Sequence, residues 1–388
     1  MSSNSRRIVL STTVPVLVFA IVGGFLSKVT AREDTYQHLK VFDEIVNLIT
    51  SNYVEKVDVD KVMRGAMHGL ADSLDPDSAY LSPEEVKQAE AGTPLPAGDV
   101  GIDLTRQYYL RIVAARDDSP AAKAGLRTGD YVRAIGTMPT RDMSVFEGMR
   151  ALRGAPGSTL SLTVIRGNAN DPHVIDLTRE PIPASALASR IAAPGVGYLR
   201  VVAIGPGTAD QAKVELAGLA KSGATSLIVD VRRTSGGALD GGIALARLFV
   251  ASGTLARRET KGAEPISLDA RPGDGALALP VVLLIDNGTS GAAELFAAAL
   301  AGNNRAELIG EHTLGRAAEQ ELVKLPDGSG LWLTGTRYLT PKGTPLHQKG
   351  LEPTVAVEEP DVEFGQTPST TDPILDKALE RLSLKKAA

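Results

Sequence analysis

The feature that most constrains the fold of this 388-residue chain is a strand, a tight turn and a helix within residues 280–320. Residues 281–285 (VVLLI) are a continuous apolar run, typical of a strand buried on both faces of a parallel sheet. An Asn-Gly pair ends the strand, and residues 294–301 predict a helix rich in alanine and leucine. Such a turn can hold a nucleophile over a helix N-terminus, where free N–H groups favour negative charge. Thr289 and Ser290 are the candidate nucleophiles, and neither has an obvious base beside it in the sequence.

The same stretch resembles the active-site segment of the carboxyl-terminal processing peptidases, also called tail-specific proteases. In that family a motif G-S-A-S-A-S-E carries the nucleophile at its middle serine. A lysine twenty-five residues later is the general base, and a glutamine four residues further on orients the lysine. Gly288 and Glu294 fix the register of the corresponding G-T-S-G-A-A-E without a gap. The resemblance places Gly291 at the nucleophile position, Arg316 at the base position and Gln320 at the glutamine position.

Two of these three positions carry residues that cannot perform the family's chemistry. Glycine has no side chain to attack with, and removing the nucleophile of a serine protease costs roughly 10⁶ in kcat. Arginine is not a general base, because its pKa stays above about 12 in proteins. We expect Arg316 to hold a carboxylate or backbone carbonyl groups instead. The sequence therefore predicts a member of the family that has lost its peptidase activity.

Two alternatives remain open at the level of sequence. The first is an active serine peptidase whose nucleophile is Ser290 or Thr289, with another base such as His312. Ser290 lies one residue from the family's nucleophile position, about 3.8 Å along the backbone. The second is a structural protein of the cell envelope without affinity for peptides. The five histidines have no metal-ligand spacing and cysteine is absent, so no metal or cofactor is predicted.

The amino terminus predicts export. Residues 8–26 are mostly apolar and uncharged, and Arg6 and Arg7 precede them. This length and charge pattern favour an uncleaved membrane anchor over a cleaved signal, although residues 29–31 (VTA) form an acceptable cleavage site. We interpret residues 1–31 as the anchor or signal segment. The rest of the chain is then expected on the periplasmic or extracellular side, and its net charge of −5 gives no reason to expect a nucleic-acid partner.

Residues 32–92 and 93–183 are interpreted as a helical segment and a PDZ-like domain. The run 73–85 (SLDPDSAYLSPEE) again matches the peptidase family, and its Ser-Pro-Glu-Glu end predicts the start of a helix. Residues 118–130 (DSPAAKAGLRTGD) resemble a PDZ domain, in which an extended peptide joins a sheet edge and its terminal carboxylate meets backbone N–H groups. Two acidic side chains in the corresponding loop are unfavourable for a carboxylate. The resemblance assigns this peptide-binding loop to Asp99, Val100, Gly101, Ile102, Asp103 and Leu104.

Residues 184–360 read as an α/β peptidase core, similar to crotonase and Clp protease, with buried strands of the parallel type. The family resemblance assigns an oxyanion-hole role to Gly236 and Gly237, although residues 233–235 (RTS) depart from the family's pattern. Residues 361–388 are expected to be a tail and a plain surface helix. The chain is thus interpreted as an exported, membrane-tethered pseudo-peptidase that binds the C-terminal tails of polypeptides, with an active relative or a second copy of itself as further partners.

Overall fold

The computed structural model of the chain describes residues 36–92, 94–167, 171–181, 186–360, 362–364, 366 and 371–387. The chain divides into two compact units, Met1–Met67 and His68–Ala388. In the first unit, residues 36–52 form helix α1, and helix α2 (Val59–Asp72) begins there. The predicted anchor at residues 8–26 lies outside the described residues. Of the helices that are described, none has the length and apolar character needed to cross a bilayer.

The later helices all belong to the second unit, and several begin at a serine. The side chain of Ser82 accepts a hydrogen bond from Glu85 N, while the Glu85 carboxylate accepts one from Ser82 N (2.7 Å), which is the reciprocal arrangement of a capping box. The predicted helix start at Pro83 is therefore correct. These helices are α3 (Pro83–Glu90), α4 (Pro120–Lys123), α5 (Val145–Ala151), α6 (Thr208–Lys221), α7 (Leu239–Ala246), α8 (Ala292–Gly302) and α9 (Pro373–Ala387).

A small β-rich module corresponds to the PDZ-like segment. Its sheet has the strand order β3-β4-β5-β7-β8, with β6 paired to β5, and a two-stranded sheet β2-β9 adjoins it in sequence. Because β3 stands at the end of that order, one of its edges is not paired with another strand of this sheet. The strands are β2 (Gly98–Asp99), β3 (Ile102–Gln107), β4 (Tyr109–Ala115), β5 (Tyr131–Ile135), β6 (Met138–Pro139), β7 (Thr159–Ile165), β8 (His173–Thr178) and β9 (Glu180–Pro181).

A six-stranded sheet forms the centre of the α/β core, with the strand order β10-β11-β12-β15-β16-β19. The pairs from β11 to β19 are parallel and β10 is antiparallel to β11, which confirms the predicted α/β class with buried parallel strands. All five residues of β15 are buried, as its apolar sequence predicts. The strands are β10 (Ala186–Ala193), β11 (Val196–Ala203), β12 (Ser226–Asp230), β15 (Val281–Ile285), β16 (Ala306–Gly310) and β19 (Val355–Ala356).

A second, antiparallel sheet of the core contains a strand from the segment read as helical. Residues Ala79–Leu81 form β1, which pairs with β18 through Ala79 opposite Trp332. The helical interpretation of this part of residues 32–92 is therefore wrong, because the partner strand lies far along the chain and leaves no local signal. The strands of this sheet are β1 (Ala79–Leu81), β13 (Thr254–Thr260), β14 (Ile266–Asp269), β17 (Ala318–Lys324) and β18 (Gly330–Leu339).

The C-terminal helix differs from its prediction as a plain surface helix. Ile374, Ala378 and Leu382 of α9 are at most 1% exposed and pack with Val282 of β15 and Ile228 of β12. The opposite face of the same sheet packs against α6, α7 and α8. Helix α9 therefore covers the second face of the central sheet, and its apolar residues are part of the core.

Candidate active site

Two turns at the carboxyl ends of β12 and β15 form the frame of the site. The strands are parallel neighbours, so their carboxyl ends lie at the same edge of the sheet. The turns are joined directly, since Arg233 N donates to Asp286 Oδ1 (2.9 Å) and Ser290 N donates to Thr234 O (3.0 Å). Helices α7 and α8 leave from these two turns. This arrangement brings the predicted oxyanion turn beside the predicted nucleophile turn.

Gly291 is the N-cap residue of α8, with φ 61° and ψ −117°. A side chain is strained in this conformation, although there is room for one. A Cβ atom at position 291 would lie 3.7 Å from Leu239 Cδ2 and 3.9 Å from both Gly236 O and Arg316 O. The positions assigned to the nucleophile, the oxyanion turn and the base therefore converge. Position 291 keeps a place for a serine but supplies no hydroxyl.

Glu294 links the segments around residues 291 and 313–316 through hydrogen bonds to its buried carboxylate. Its fully buried carboxylate accepts hydrogen bonds from Gly291 N (3.0 Å), Gly315 N (2.6 Å) and Arg316 N (2.8 Å), as well as from the Thr313 hydroxyl. Burial raises the pKa of Glu294 above its ordinary value, and the four donors act in the opposite direction. One carboxylate thus sets the spacing between the nucleophile and base positions.

The guanidinium of Arg316 is held at the base position by three hydrogen bonds. Nε donates to Asp77 Oδ2 (3.0 Å), Nη2 donates to Asp77 Oδ1, and Nη1 donates to Leu104 O (2.9 Å). Burial lowers the pKa of Arg316, but the charge and hydrogen bonds of Asp77 outweigh burial, and the pKa is raised. The guanidinium therefore remains a cation, and it points to a carboxylate and a carbonyl group.

Gln320 lies on β17, and its hydrogen-bond partner is not the one that the resemblance implies. Its amide nitrogen donates to Thr334 Oγ1 on the neighbouring strand β18 (3.1 Å). That bond crosses from strand to strand within the antiparallel sheet, so the amide nitrogen of Gln320 does not orient Arg316.

The alternative nucleophiles, Thr289 and Ser290, are both buried. Thr289 Oγ1 lies 2.9 Å from Val231 O and 3.0 Å from Asp286 Oδ1, and it accepts a hydrogen bond from Asp286 N (3.0 Å). The Thr289 hydroxyl is thus used to hold the turn. His312, the alternative base, is 42% exposed, and its Nε2 lies 3.7 Å from Glu352 Oε1.

The predicted oxyanion turn, Gly236 and Gly237, is in contact with the PDZ-like module. Gly236 and Gly237 have φ values of 72° and 80°, and a Cβ atom at Gly237 would lie only 2.0 Å from Ile204 O. Only glycine therefore fits at position 237. Asp103 of β3 accepts a hydrogen bond from the Ser235 hydroxyl, and its carboxylate oxygens would lie 3.5 Å from a Cβ atom at Gly236. Strand β3 thus reaches both sides of the site, through Asp103 and through Leu104.

The predicted peptide-binding loop contains a carboxylate of its own. Asp99 Oδ1 accepts hydrogen bonds from Val100 N (2.7 Å) and Gly101 N (3.2 Å), while Oδ2 pairs with the Arg153 guanidinium (2.9 Å). Asp99 is 6% exposed. The N–H groups of Val100 and Gly101 are therefore already bonded within the chain.

A groove with a volume of about 660 Å³ runs beside Arg316. Thr105, Arg106, Tyr108 and Arg141 from the PDZ-like module form one side, and Gly315, Arg316 and Gln348 from the core line another. The turn of residues 72–77 completes the lining. Arg106 pairs with Asp72 in this groove, as Arg316 pairs with Asp77. Among the described residues, no cluster of histidine, aspartate and glutamate could hold a metal ion.

Asp77 is the site residue that reading the sequence missed. Its segment, residues 73–85, matches the family, but nothing in that run indicates a role for Asp77 at the site. No sequence signal links Asp77 to a residue 239 positions later. The only available hint is the expectation that an arginine at position 316 holds a carboxylate, which does not say which carboxylate it is.

Comparison with known families and proteins gives consistent matches along the chain. Residues 195–357 match peptidase family S41, residues 111–166 match a PDZ domain, and residues 23–85 match the N-terminal domain of the activating protease CtpB. Together these matches follow the predicted order of helical segment, PDZ-like module and peptidase core.

Individual relatives cover most of the chain. A carboxyl-terminal-processing protease of Synechocystis is 32% identical over 321 residues, which are 81% of this chain and 75% of that protein. A carboxy-terminal-processing protease of Bartonella bacilliformis is 29% identical over 360 residues, covering 89% and 83% respectively. The solved structure of a photosystem II D1 C-terminal processing protease superimposes with a TM-score of 0.67 at 25% identity, over 82% of this chain and 92% of that one.

Proposed function

Because the chain belongs to the carboxyl-terminal processing protease family, we propose that it is an inactive member that binds polypeptide tails without cutting them. The observation that carries this proposal is the ion pair at the base position. The guanidinium of Arg316 is held by Asp77 and by Leu104 O, and Gly291 at the nucleophile position supplies no hydroxyl. A serine mechanism needs an activated nucleophile and a base that can lose its proton. This site has neither at the family's positions.

Polypeptide binding is supported by the parts of the family's structure that this chain retains. The PDZ-like module, the groove beside Arg316 and the two turns of the site are all present and in contact with one another. Ion pairs already neutralise Arg106 and Arg316 along this groove. A surface that combines an edge strand with a groove suits an extended chain, which supplies backbone hydrogen bonds along its whole length.

Repairing the site tests the loss of activity. We expect the unmodified chain, Gly291→Ser and Arg316→Lys each to hydrolyse a labelled, unstructured polypeptide at the blank rate. The double variant should show measurable hydrolysis, because groups that act as one catalytic unit are strongly non-additive. Its rate should stay low, since the changed turn at residues 233–235 can misplace the oxyanion donors, and one missing donor costs about 10²–10³ in kcat.

One result of the same assay would contradict the proposal. If the unmodified chain cleaves the polypeptide and Ser290→Ala abolishes the cleavage, the nucleophile has moved by one residue and the protein is an enzyme. Thr289→Ser is the matched control, because it keeps the hydroxyl that holds the turn.

We also propose that the chain is exported and tethered through residues 8–26. The apolar length of that segment supports an anchor. Full-length protein should stay in the membrane pellet through a high-salt wash and leave it only with detergent, because hydrophobic insertion does not depend on charge. A soluble form whose amino terminus lies near residue 32 would show instead that a signal peptide is removed.

A further inference from the structure

The peptide-binding loop of the PDZ-like module is closed by its own aspartate. Asp99 is the last residue of β2, and its carboxylate accepts the N–H groups of the next two residues, Val100 and Gly101. The second carboxylate oxygen is held by Arg153. This set of partners, consecutive backbone donors and a nearby cation, is what a PDZ module offers to the free carboxyl terminus of a peptide.

We propose that Asp99 takes the place of a peptide's terminal carboxylate, so that the chain recognises an internal, extended segment of a polypeptide and not its free end. This inference rests on the proposed polypeptide binding and specifies that the recognised part of the polypeptide is an internal segment and not the terminal carboxylate. A terminal carboxylate entering the loop would have to displace Asp99 from two N–H groups and would meet its negative charge.

The groove beside Arg316 fits an internal segment better than a chain end. Its volume of about 660 Å³ lies within the range of roughly 300–1,000 Å³ that ligand sites have. Arg106 and Arg316, which line it, are already paired with Asp72 and Asp77. These two cations therefore contribute little free positive charge for a carboxylate.

Arg141 is the arginine of the groove that forms no ion pair with a carboxylate among the described residues. It is exposed at the groove, and its guanidinium stacks on the Tyr108 ring at 4.9 Å from the centroid. Arginine and tyrosine stacked in this way offer a flat, amphipathic surface to side chains of a bound segment. Arg141 also gives the test a second variant, since it is the residue through which a free carboxylate could bind without the loop.

The test compares one labelled, unstructured peptide in two forms, with a free carboxyl terminus and with a terminal amide. Binding to the detergent-solubilised full chain is measured by fluorescence anisotropy. We expect the unmodified chain to bind both forms with dissociation constants within twofold of each other. Asp99→Gly frees the loop donors and should bind the acid form about tenfold more tightly than the amide, a difference of about 1.4 kcal/mol. Asp99→Asn, which keeps the size of the side chain and removes its charge, should show a smaller preference of the same sign.

The possible results separate the inference from the function on which it rests. A clear preference of the unmodified chain for the acid form would overturn the inference and leave polypeptide binding intact. If Arg141→Ala then removes that preference, Arg141 is the site at which the terminal carboxylate binds. Equal binding of both forms by Asp99→Gly and by Asp99→Asn would also overturn it. If neither the unmodified chain nor the variants bind either peptide, the proposed function itself is wrong.

Discussion

The ion pair between Arg316 and Asp77 determines what a lysine at position 316 could do. A lysine base has to be neutral before it can accept a proton, so its pKa must be lowered. A carboxylate in contact with an amine favours the charged form and raises that pKa. On the proposed loss of activity, Asp77 therefore acts together with Gly291 and Arg316, and restoring only the serine and the lysine leaves most of the base protonated and the hydrolysis slow.

Removing the charge of Asp77 should improve the repaired enzyme. In the Gly291→Ser/Arg316→Lys background, we expect Asp77→Asn to raise the hydrolysis rate at neutral pH and to move the pH dependence to lower pH, because a larger fraction of the introduced lysine is then neutral. Initial rates across the neutral and alkaline range measure both effects. Asp72→Asn is the matched control, since it removes a carboxylate from the same groove but not from Arg316. An equal gain in the control would contradict the role of Asp77.

Gly237 allows a second prediction at the level of single residues. In Gly237→Ala the new methyl group would overlap Ile204 O in a left-handed backbone conformation. We expect a loss of at least about 2 kcal/mol in the free energy of unfolding, measured with urea. Gly223 has a similar φ of 86° with open space around its Cβ position, so Gly223→Ala carries only the backbone strain of about 1–2 kcal/mol. Equal losses in both variants would show that the overlap relaxes without cost.

At the level of single residues, the sequence assigns positions where a fixed spacing carries them. The assignments of Gly291 and Arg316 follow from the gap-free register set by Gly288 and Glu294. A Cβ atom at position 291 would lie 3.9 Å from the backbone oxygen of Arg316. The Arg316 to Asp77 contact could not be predicted, because it depends on how distant segments fold together. The same holds for Asp99, whose role follows from the direction of its side chain.

Elements are predictable where their signal is local. Apolar composition predicts β15, and the Ser-Pro-Glu-Glu run predicts the start of α3, since both depend on neighbours in sequence. Strand β1 has only three residues and exists through its pairing with β18. Helix α9 contains enough charged residues to read as a surface helix, and only the packed structure shows that one face is buried.

Helix α9 provides a test of that burial. Ile374 is 0% exposed and Leu384 on the same helix is 55% exposed. We expect Ile374→Ala to lower the free energy of unfolding by about 2–5 kcal/mol, because it leaves a cavity against the central sheet. Leu384→Ala should change it by no more than about 0.5 kcal/mol. Urea unfolding of the two variants measures the difference, and similar small losses would mean that α9 is not part of the cooperative core.

At the scale of the whole second unit, charged side chains link elements that are distant in sequence. Arg232 is bonded to Asp230, Glu359 and Asp372, so it connects the end of β12 to the start of α9. Arg200 connects β11 to Asp117 of the PDZ-like module (2.8 Å). Burial raises the pKa of Asp230, but the charges of Arg232 and Arg200 outweigh it and hold the pKa well below its usual range. The pKa of Asp372 is also lowered, against the effect of burial, by Arg232.

These lowered pKa values predict acid sensitivity. A carboxyl whose folded-state pKa is depressed contributes stability above its unfolded pKa of about 4, and that contribution is lost as the pH falls towards the folded value. We therefore expect the free energy of unfolding to fall as the pH decreases below about 5. Asp372→Asn should make that fall shallower and should lower the stability at neutral pH. Asp210→Asn, an exposed substitution on α6, should leave the unfolding free energy within about 0.5 kcal/mol of the unmodified chain. A profile that is flat through this acid range would contradict the assignment.

The carboxylate of Glu294 maintains the structure of the site and is distinct from the groups that carry out hydrolysis in the family. Because Glu294 ties positions 291, 315 and 316 together, the backbone of the site does not depend on the serine and the lysine of the family motif. If the proposed loss of activity is right, the reverse change needs substitutions at positions 77, 291 and 316 and repair of the turn at residues 233–235, while Glu294 keeps the backbone of the site in place throughout.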